Sequence, residues 1–173
     1  VINGKIAMST DSFVINPIFF EGGDIGKLSI CGTVNDICMS GAKPLYISVG
    51  FIIEEGLTIN ELEKIVQSMA KTANEAGVKI VTGDTKVVEK GSCDKIYINT
   101  TGIGIIEENN RYLSGDKVRA GDKVIVSGTL GDHGMCIMNK REDFGFKSTI
   151  KSDCCLLNEL ISDILSVSTK IRV

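Results

Sequence analysis

A chain of 173 residues with 43% apolar and 24% charged residues has the composition of a folded protein, long enough for one good core with little to spare. Its net charge of −3, from 19 basic and 22 acidic residues, provides no field to hold a polyanion, so nucleic acid is not an expected partner. No apolar run nears the roughly 20 residues that span a bilayer, and Val1-Ile2-Asn3-Gly4-Lys5 lacks the marks of a signal peptide, so no membrane and a cytoplasmic location are expected.

The six cysteines lack paired C-x-x-C spacing and are expected reduced, most of them as small buried apolar residues. With His133 the single histidine and no tryptophan, any metal is expected on oxygen ligands.

In chain order, strand-like Ile6-Ala7-Met8 leads into Ser9-Thr10-Asp11-Ser12. There is no initiator methionine, as in a piece of a longer chain. The apolar run Phe13-Val14-Ile15 ends at Asn16-Pro17, and Phe19-Phe20 precede a turn at Gly22-Gly23, after which Asp24 suits a helix N-cap. From Ile25 to Met39 the pattern is helical, with Leu28, Cys31, Val34 and Cys38 on an apolar face. The other face carries Ser29, Gly32, Thr33, Asp36 and Ser40, small enough for another group to come close to Asp36; helix packing accounts for the same residues.

Gly41 stops that helix, and alternation from Leu45 to Ile53 predicts a strand. Thr58 and Glu61 form a capping-box signature ahead of Leu62, Ile65, Val66, Met69, Ala73 and Ala76, with Gly77 as the stop. A strand from Val78 to Thr82 is expected to end in the tight sequence Gly83-Asp84-Thr85-Lys86. Another runs from Lys95 to Ile106, where Gly102 and Gly104 mark either close approach of a ligand or backbone, or a bulge. Polar sequence from Glu107 to Gly121 reads as a boundary. Beyond it, Asp122 to Gly128 reads as a strand, Gly131-Asp132-His133-Gly134 opens a short helix, Leu156 to Leu165 make an amphipathic one, and Val167 to Val173 begin a strand. Some fifty residues rarely bury a core alone, so this second unit reads as truncated.

Chemistry is expected at three aspartates: Asp11 after a strand, Asp36 on the small-residue helix face and Asp84 after a strand. Convergent carboxylates and a nearby cation, here Lys86, suit Mg²⁺ and phosphate, although aspartates in turns and at helix ends are also ordinary structural residues. Asn35 adds an amide beside Asp36, and Thr85 a hydroxyl. The usual phosphate loops are missing, since Leu28 follows Gly26-Lys27 where a hydroxyl belongs and Gly102-Ile103-Gly104 lacks a third glycine.

Seven ordered blocks carry a resemblance: Ser9-Thr10-Asp11-Ser12; Phe19-Phe20 with Gly22 to Leu28; Cys31-Gly32-Thr33-Val34-Asn35-Asp36-Ile37; Ser40 to Tyr46; Gly83-Asp84-Thr85-Lys86-Val87-Val88; Ile98 to Gly102; and Gly128-Thr129-Leu130-Gly131-Asp132-His133-Gly134. With them the chain resembles the HypE family of hydrogenase maturation proteins, within the aminoimidazole-ribonucleotide-synthetase (PurM)-like superfamily.

The resemblance implies an α/β (α+β) PurM-like ATP-binding domain over 1–116, its mixed or antiparallel sheet packed on helices and pairing with a second subunit in a homodimer. Residues 117–173 would be the truncated start of a second α+β domain, with ATP between the two. It implies Asp11, Asp36 and Asp84 as metal and phosphate carboxylates, Asn35, Thr85 and Lys86 beside the phosphates, and Lys27 as a weaker cofactor-binding candidate. Lys86 is also the candidate catalytic residue, to deprotonate a thiocarboxamide nitrogen. The implied cofactors are ATP and Mg²⁺.

The implied activity is an ATP-dependent carbamoyl dehydratase, working on a C-terminal cysteine loaded by the carbamoyltransferase HypF and passing a cyano group to the HypC–HypD complex. That cysteine is expected beyond Val173, leaving this piece inactive on its own, and Cys154-Cys155 are expected to pack. A selenophosphate-synthetase-type member of the superfamily would share the aspartates, but Gly83-Asp84-Thr85-Lys86 argues against it. A dimerisation and docking module for HypF is the alternative of a different kind.

Overall fold

The computed structural model describes residues 5–106, 112–142 and 150–173; the opening residues 1–4 and the first part of the expected boundary, 107–111, lie outside them. Strands β1 (Lys5–Phe13), β4 (Lys43–Glu54), β5 (Lys79–Val88) and β6 (Ile96–Ile106) form one sheet in the order β1-β6-β4-β5, while β2 (Phe19–Phe20) and β3 (Gly23–Asp24) make a small hairpin. Helix α2 (Ile59–Glu75) carries the chain from β4 to β5, so those two pair in parallel; the other pairings in the large sheet are antiparallel.

Alternation in β6 sets the two faces. Ile96, Ile98 and Thr100 are buried under the helices, whereas Tyr97, Asn99 and Thr101 look to the other side. The core lies between this face and α1 (Ile25–Met39) with α2, and includes Ile25, Ile30, Val34, Ile47, Ile65 and Met69.

Local chemistry explains the helix ends. Asp24 accepts from the Gly26 and Lys27 amides as N-cap of α1, and Gly41 follows its C-cap at φ +81°. The Thr58–Glu61 capping box is closed in both directions, and Gly77, at φ +69°, follows the last turn of α2.

The small-residue face of α1 meets the sheet itself. Thr33 and Thr100 hydroxyls share a 2.5 Å hydrogen bond, both fully buried, and a side-chain carbon on Gly32 would come within 2.8 Å of the Phe13 ring. Close backbone approach also accounts for Gly102 and Gly104, without any ligand. A Cβ on Gly102 would lie 2.5 Å from Ile37, and one on Gly104 would lie 2.4 Å from Ile37 and 2.8 Å from the Lys43 carbonyl.

Four expectations are corrected. Asp11 does not follow a strand but lies within β1, paired with Thr100. Gly83 to Lys86 do not turn but continue β5, because Gly83 faces the β4 backbone so closely that a Cβ would lie 2.3 Å from the Val49 carbonyl oxygen. Residues 122–128 form no strand, and neither do 167–173. A strand needs a neighbour to pair with its backbone. No described strand lies beside Val124 and Ile125, which stand 92% and 86% exposed.

The chain beyond residue 112 rests on the same core. Helix α3 (Asp132–Glu142) buries Cys136 and Ile137 against the β2–β3 hairpin, with the His133 ring edge-on to Phe20 at 5.3 Å, and α4 (Asn158–Val167) lies along α1 with Leu156 and Ile161 packed on the core.

Candidate functional site

The pleat decides which candidates meet. On β1 the residues Ser9, Asp11 and Phe13 pair with Gly102, Thr100 and Ile98, so they face α1. The Ser9 hydroxyl donates to Asp36 Oδ2 at 2.9 Å, and the Asp11 carboxylate sits 3.8 Å from where a Gly32 side chain would begin, one helical turn before Asp36. Asp11 and Asp36 are therefore gathered on one exposed flank, between β1 and the C-terminal half of α1. Asp11 also accepts from the Ser12 amide at 2.7 Å, which orients its carboxylate. An open groove of about 650 Å³ adjoins this flank, lined by Lys5, Met8, Asp36, Ser40 and Tyr112 among others.

Ser9 is a residue whose part the sequence reading missed, although the signal was present. It lies two residues before Asp11 on the same strand, and alternation alone puts both on one face.

Asp84 and Lys86 are elsewhere. Their register across the sheet runs Asp84, Gly50, Asn99, Ser12 and Lys86, Ile52, Tyr97, which places both on the face away from α1. They stand on β5, at the opposite edge from β1, about 14 Å away at three strand spacings. Lys86 donates to Asp84 at 2.5 Å; this bond, followed by one from the Thr85 amide, holds the Asp84 carboxyl below the usual carboxylate range. Thr85 pairs with Phe51 and points to the other face. A single chain thus brings two of the three aspartates together and leaves the third with the lysine and threonine at the far edge.

Asn35 and Lys27 have structural partners. The Asn35 side chain donates to the Cys155 carbonyl and accepts from the Leu157 amide, both at 2.9 Å, fastening the lead-in to α4 onto α1. Lys27 donates to the Gly22 carbonyl at 2.9 Å, closing the β2–β3 turn. Of the cysteines, Cys31, Cys38 and Cys136 are buried, Cys93 and Cys154 half-buried, and Cys155 exposed.

The chemistry of the Asp11–Asp36 flank is all oxygen, suited to a hard cation with phosphate oxygens completing its shell. Among the described residues no three of the His, Cys, Asp and Glu side chains gather to hold a metal unaided. Among them, too, no helix is long and apolar enough to cross a membrane.

Comparison with known proteins agrees with this architecture. Residues 1–106 match the family described as AIR synthase related protein, N-terminal domain. The carbamoyl dehydratase HypE of Escherichia coli K12 is 53% identical over 163 residues, which cover 94% of this chain and 48% of the relative. Among solved structures, that of a HypE–HypF complex superposes with a TM-score of 0.92 at 54% identity, covering 97% of this chain and 55% of its counterpart. HypE in complex with ATP superposes at 0.89 and 52% identity, covering 95% and 49%. The chain spans about half the length of the curated relatives it matches. By matched domain and superposed fold, the chain belongs to the AIR synthase related family, and its similarity to HypE proteins runs at about 50% identity over nearly its whole length.

Proposed function

We propose that this chain forms most of the ATP-binding half of a HypE-type carbamoyl dehydratase, which uses ATP to dehydrate an S-carbamoylated C-terminal cysteine to a thiocyanate. The cyano group so made serves the iron of nickel–iron hydrogenase. The observation that carries the reading is the exposed pair Asp11 and Asp36, braced by Ser9 beside an open groove, in a fold that superposes on ATP-bound HypE. Residues 1–116 are read as the ATP-binding and dimerisation domain and 117–173 as the start of the second. The partners on this reading are a second copy of the chain, HypF, and the HypC–HypD complex, all in the cytoplasm.

When bound, ATP with Mg²⁺ supplies a phosphoryl group that turns a poor amide-type oxygen into a leaving group. The chain's part is to place and neutralise charge. Asp11 and Asp36 hold the metal, and Ser9 keeps the Asp36 carboxylate aimed. Lys86 meets phosphate oxygens, with Asp84 as a further carboxylate, and Thr85 reaches them from the other face of the same exposed edge strand. The Asp84–Lys86 contact is that of a charged pair, which supports an electrostatic part for Lys86 over proton abstraction. Because Asp84 and Lys86 sit on the opposite edge and face from Asp36, we place them in the same site through the second subunit: the β5 edge of one chain serves the β1–α1 flank of the other. The dimer is thus part of the chemistry. Asn35 lies beside the phosphates, with Lys27 as the weaker cofactor-binding candidate, and the same two residues hold residues 155–157 and the Gly22 turn.

Titration of ATP into the chain, with Mg²⁺ and with chelator, tests this, alongside dimerisation and binding to HypF. Saturable heat only with Mg²⁺ is expected. No heat with ATP, while dimerisation and HypF binding persist, would leave the docking-module reading instead.

A further inference from the structure

One face of α1 is covered by an extended segment, residues 152–157. The Ser152 amide donates to the Glu21 carbonyl at 2.8 Å beside the turn that Lys27 closes, and Asn35, two helical turns beyond Lys27, holds Cys155 and Leu157. Lys27, Cys31 and Asn35 stand at i, i+4 and i+8, so the segment runs along a single stripe of the helix, with its middle over Cys31. There Cys154, next to the Cys155 carbonyl that Asn35 holds, brings its thiol against that of Cys31, one turn before Asn35. The two ends of the segment are tied on either side of the sulfur pair, and this register keeps the sulfurs facing. Cys31 is 2% exposed, while Cys154 is half-buried.

We propose that Cys31 and Cys154 form a dithiol clasp, closed to a disulfide by a small hydroperoxide, that covalently joins the segment leading into α4 to helix α1. The thiols have unequal parts. The neighbouring Cys154 sulfur, and after it burial, keep Cys31 protonated, whereas the Cys31 thiol as donor, and after it the Lys27 ammonium, draw the Cys154 thiol below its ordinary value. The Cys154 thiolate attacks one peroxide oxygen; the O–O bond breaks, the other oxygen leaves as water or an alcohol after taking a proton, and Cys154 becomes a sulfenic acid. The Cys31 sulfur then attacks the Cys154 sulfur, its proton leaves with the hydroxyl as water, and the S–S bond forms. Two thiols are oxidised and one peroxide is reduced. A dithiol reductant reverses the change by exchange.

The test is peroxide treatment of the folded chain, alkylation of remaining thiols, and peptide mapping. Cys31 shares a tryptic peptide with Cys38, and Cys154 with Cys155, so the measurement uses a Cys38→Ala/Cys155→Ser background. Expected is a linked pair of these two peptides, lighter by two hydrogens than its reduced parts and released by dithiothreitol. It should be lost on adding Cys154→Ser or, as a second variant, Cys31→Ala, each checked for native circular dichroism. Oxidation that stops at a sulfinic acid on Cys154 with Cys31 still alkylatable, or a linkage that forms only after unfolding, overturns the proposal.

Discussion

Replacing Gly102 by alanine tests the packing of α1 on the sheet, because the two possible outcomes differ in sign. Gly102 does not have a left-handed backbone, so alanine is free of strain there. In an open strand the change would stabilise by about 0.4–1 kcal/mol, through the entropy of the unfolded chain. Here the new carbon would sit 2.5 Å from Ile37 Cδ1 and 2.7 Å from Thr33 Cγ2, when carbons rest near 3.5–4.0 Å. Neither neighbour yields easily: Ile37 is 1% exposed, packed with Ala42 and Ile106, and Thr33 is pinned to Thr100.

Overpacking of this kind costs roughly 1–3 kcal/mol. For a chain of this size that lowers Tm by roughly 2–12 °C, read by thermal and urea denaturation. Adding Ile37→Val and Thr33→Ser removes both opposing methyls and keeps the buried hydroxyl. The triple variant should therefore recover part of the loss, although each change costs stability in the parent. A neutral or stabilised Gly102→Ala chain refutes the reasoning.

Glu61 gives a pH dependence. Its carboxyl is drawn down to about 2, first by the Lys95 ammonium and then by Thr58. A depressed carboxyl stabilises above its unfolded value and loses that contribution as pH falls through its folded one. The stability gap between the parent and Glu61→Gln in urea should be full at pH 7 and shrink from about pH 4.3 downward; a gap independent of pH contradicts this. Asn35→Ala should raise hydrogen exchange and proteolysis within 150–167 and leave β4 and β6 protected. Uniform loosening of the whole chain would instead mean that Asn35 holds the core.

The capping box and the stop glycines of α1 and α2 were legible because their causes are local, within four residues of sequence. The small face of α1 was legible as a surface that something approaches closely, but not as the seat of Phe13 and Thr100, since that depends on strand order. Gly83-Asp84 reads as a turn by composition; only pairing with Val49 makes it strand, and pairing is a long-range fact. The three aspartates could be named from sequence, but their grouping could not. A one-residue difference in pleat sends Asp84 to the face away from α1, and the order β1-β6-β4-β5 sends it to the far edge. The seat of Asn35, bonded 120 and 122 residues away, has no sequence signature at all.

The most direct test of the central claim is Mg²⁺-dependent ATP binding by titration calorimetry to the parent chain, to Asp36→Asn, to Asp84→Asn, and to the two variants refolded together. Each variant alone should keep its fold and lose affinity by at least the roughly 10–100-fold that even outer-shell partners of a metal site command. The mixture should regain parent-like affinity in a fraction of sites, those joining an intact Asp36 from one chain to an intact Asp84 from the other. Unchanged binding by folded Asp36→Asn, or a mixture no better than its parts, would contradict the account.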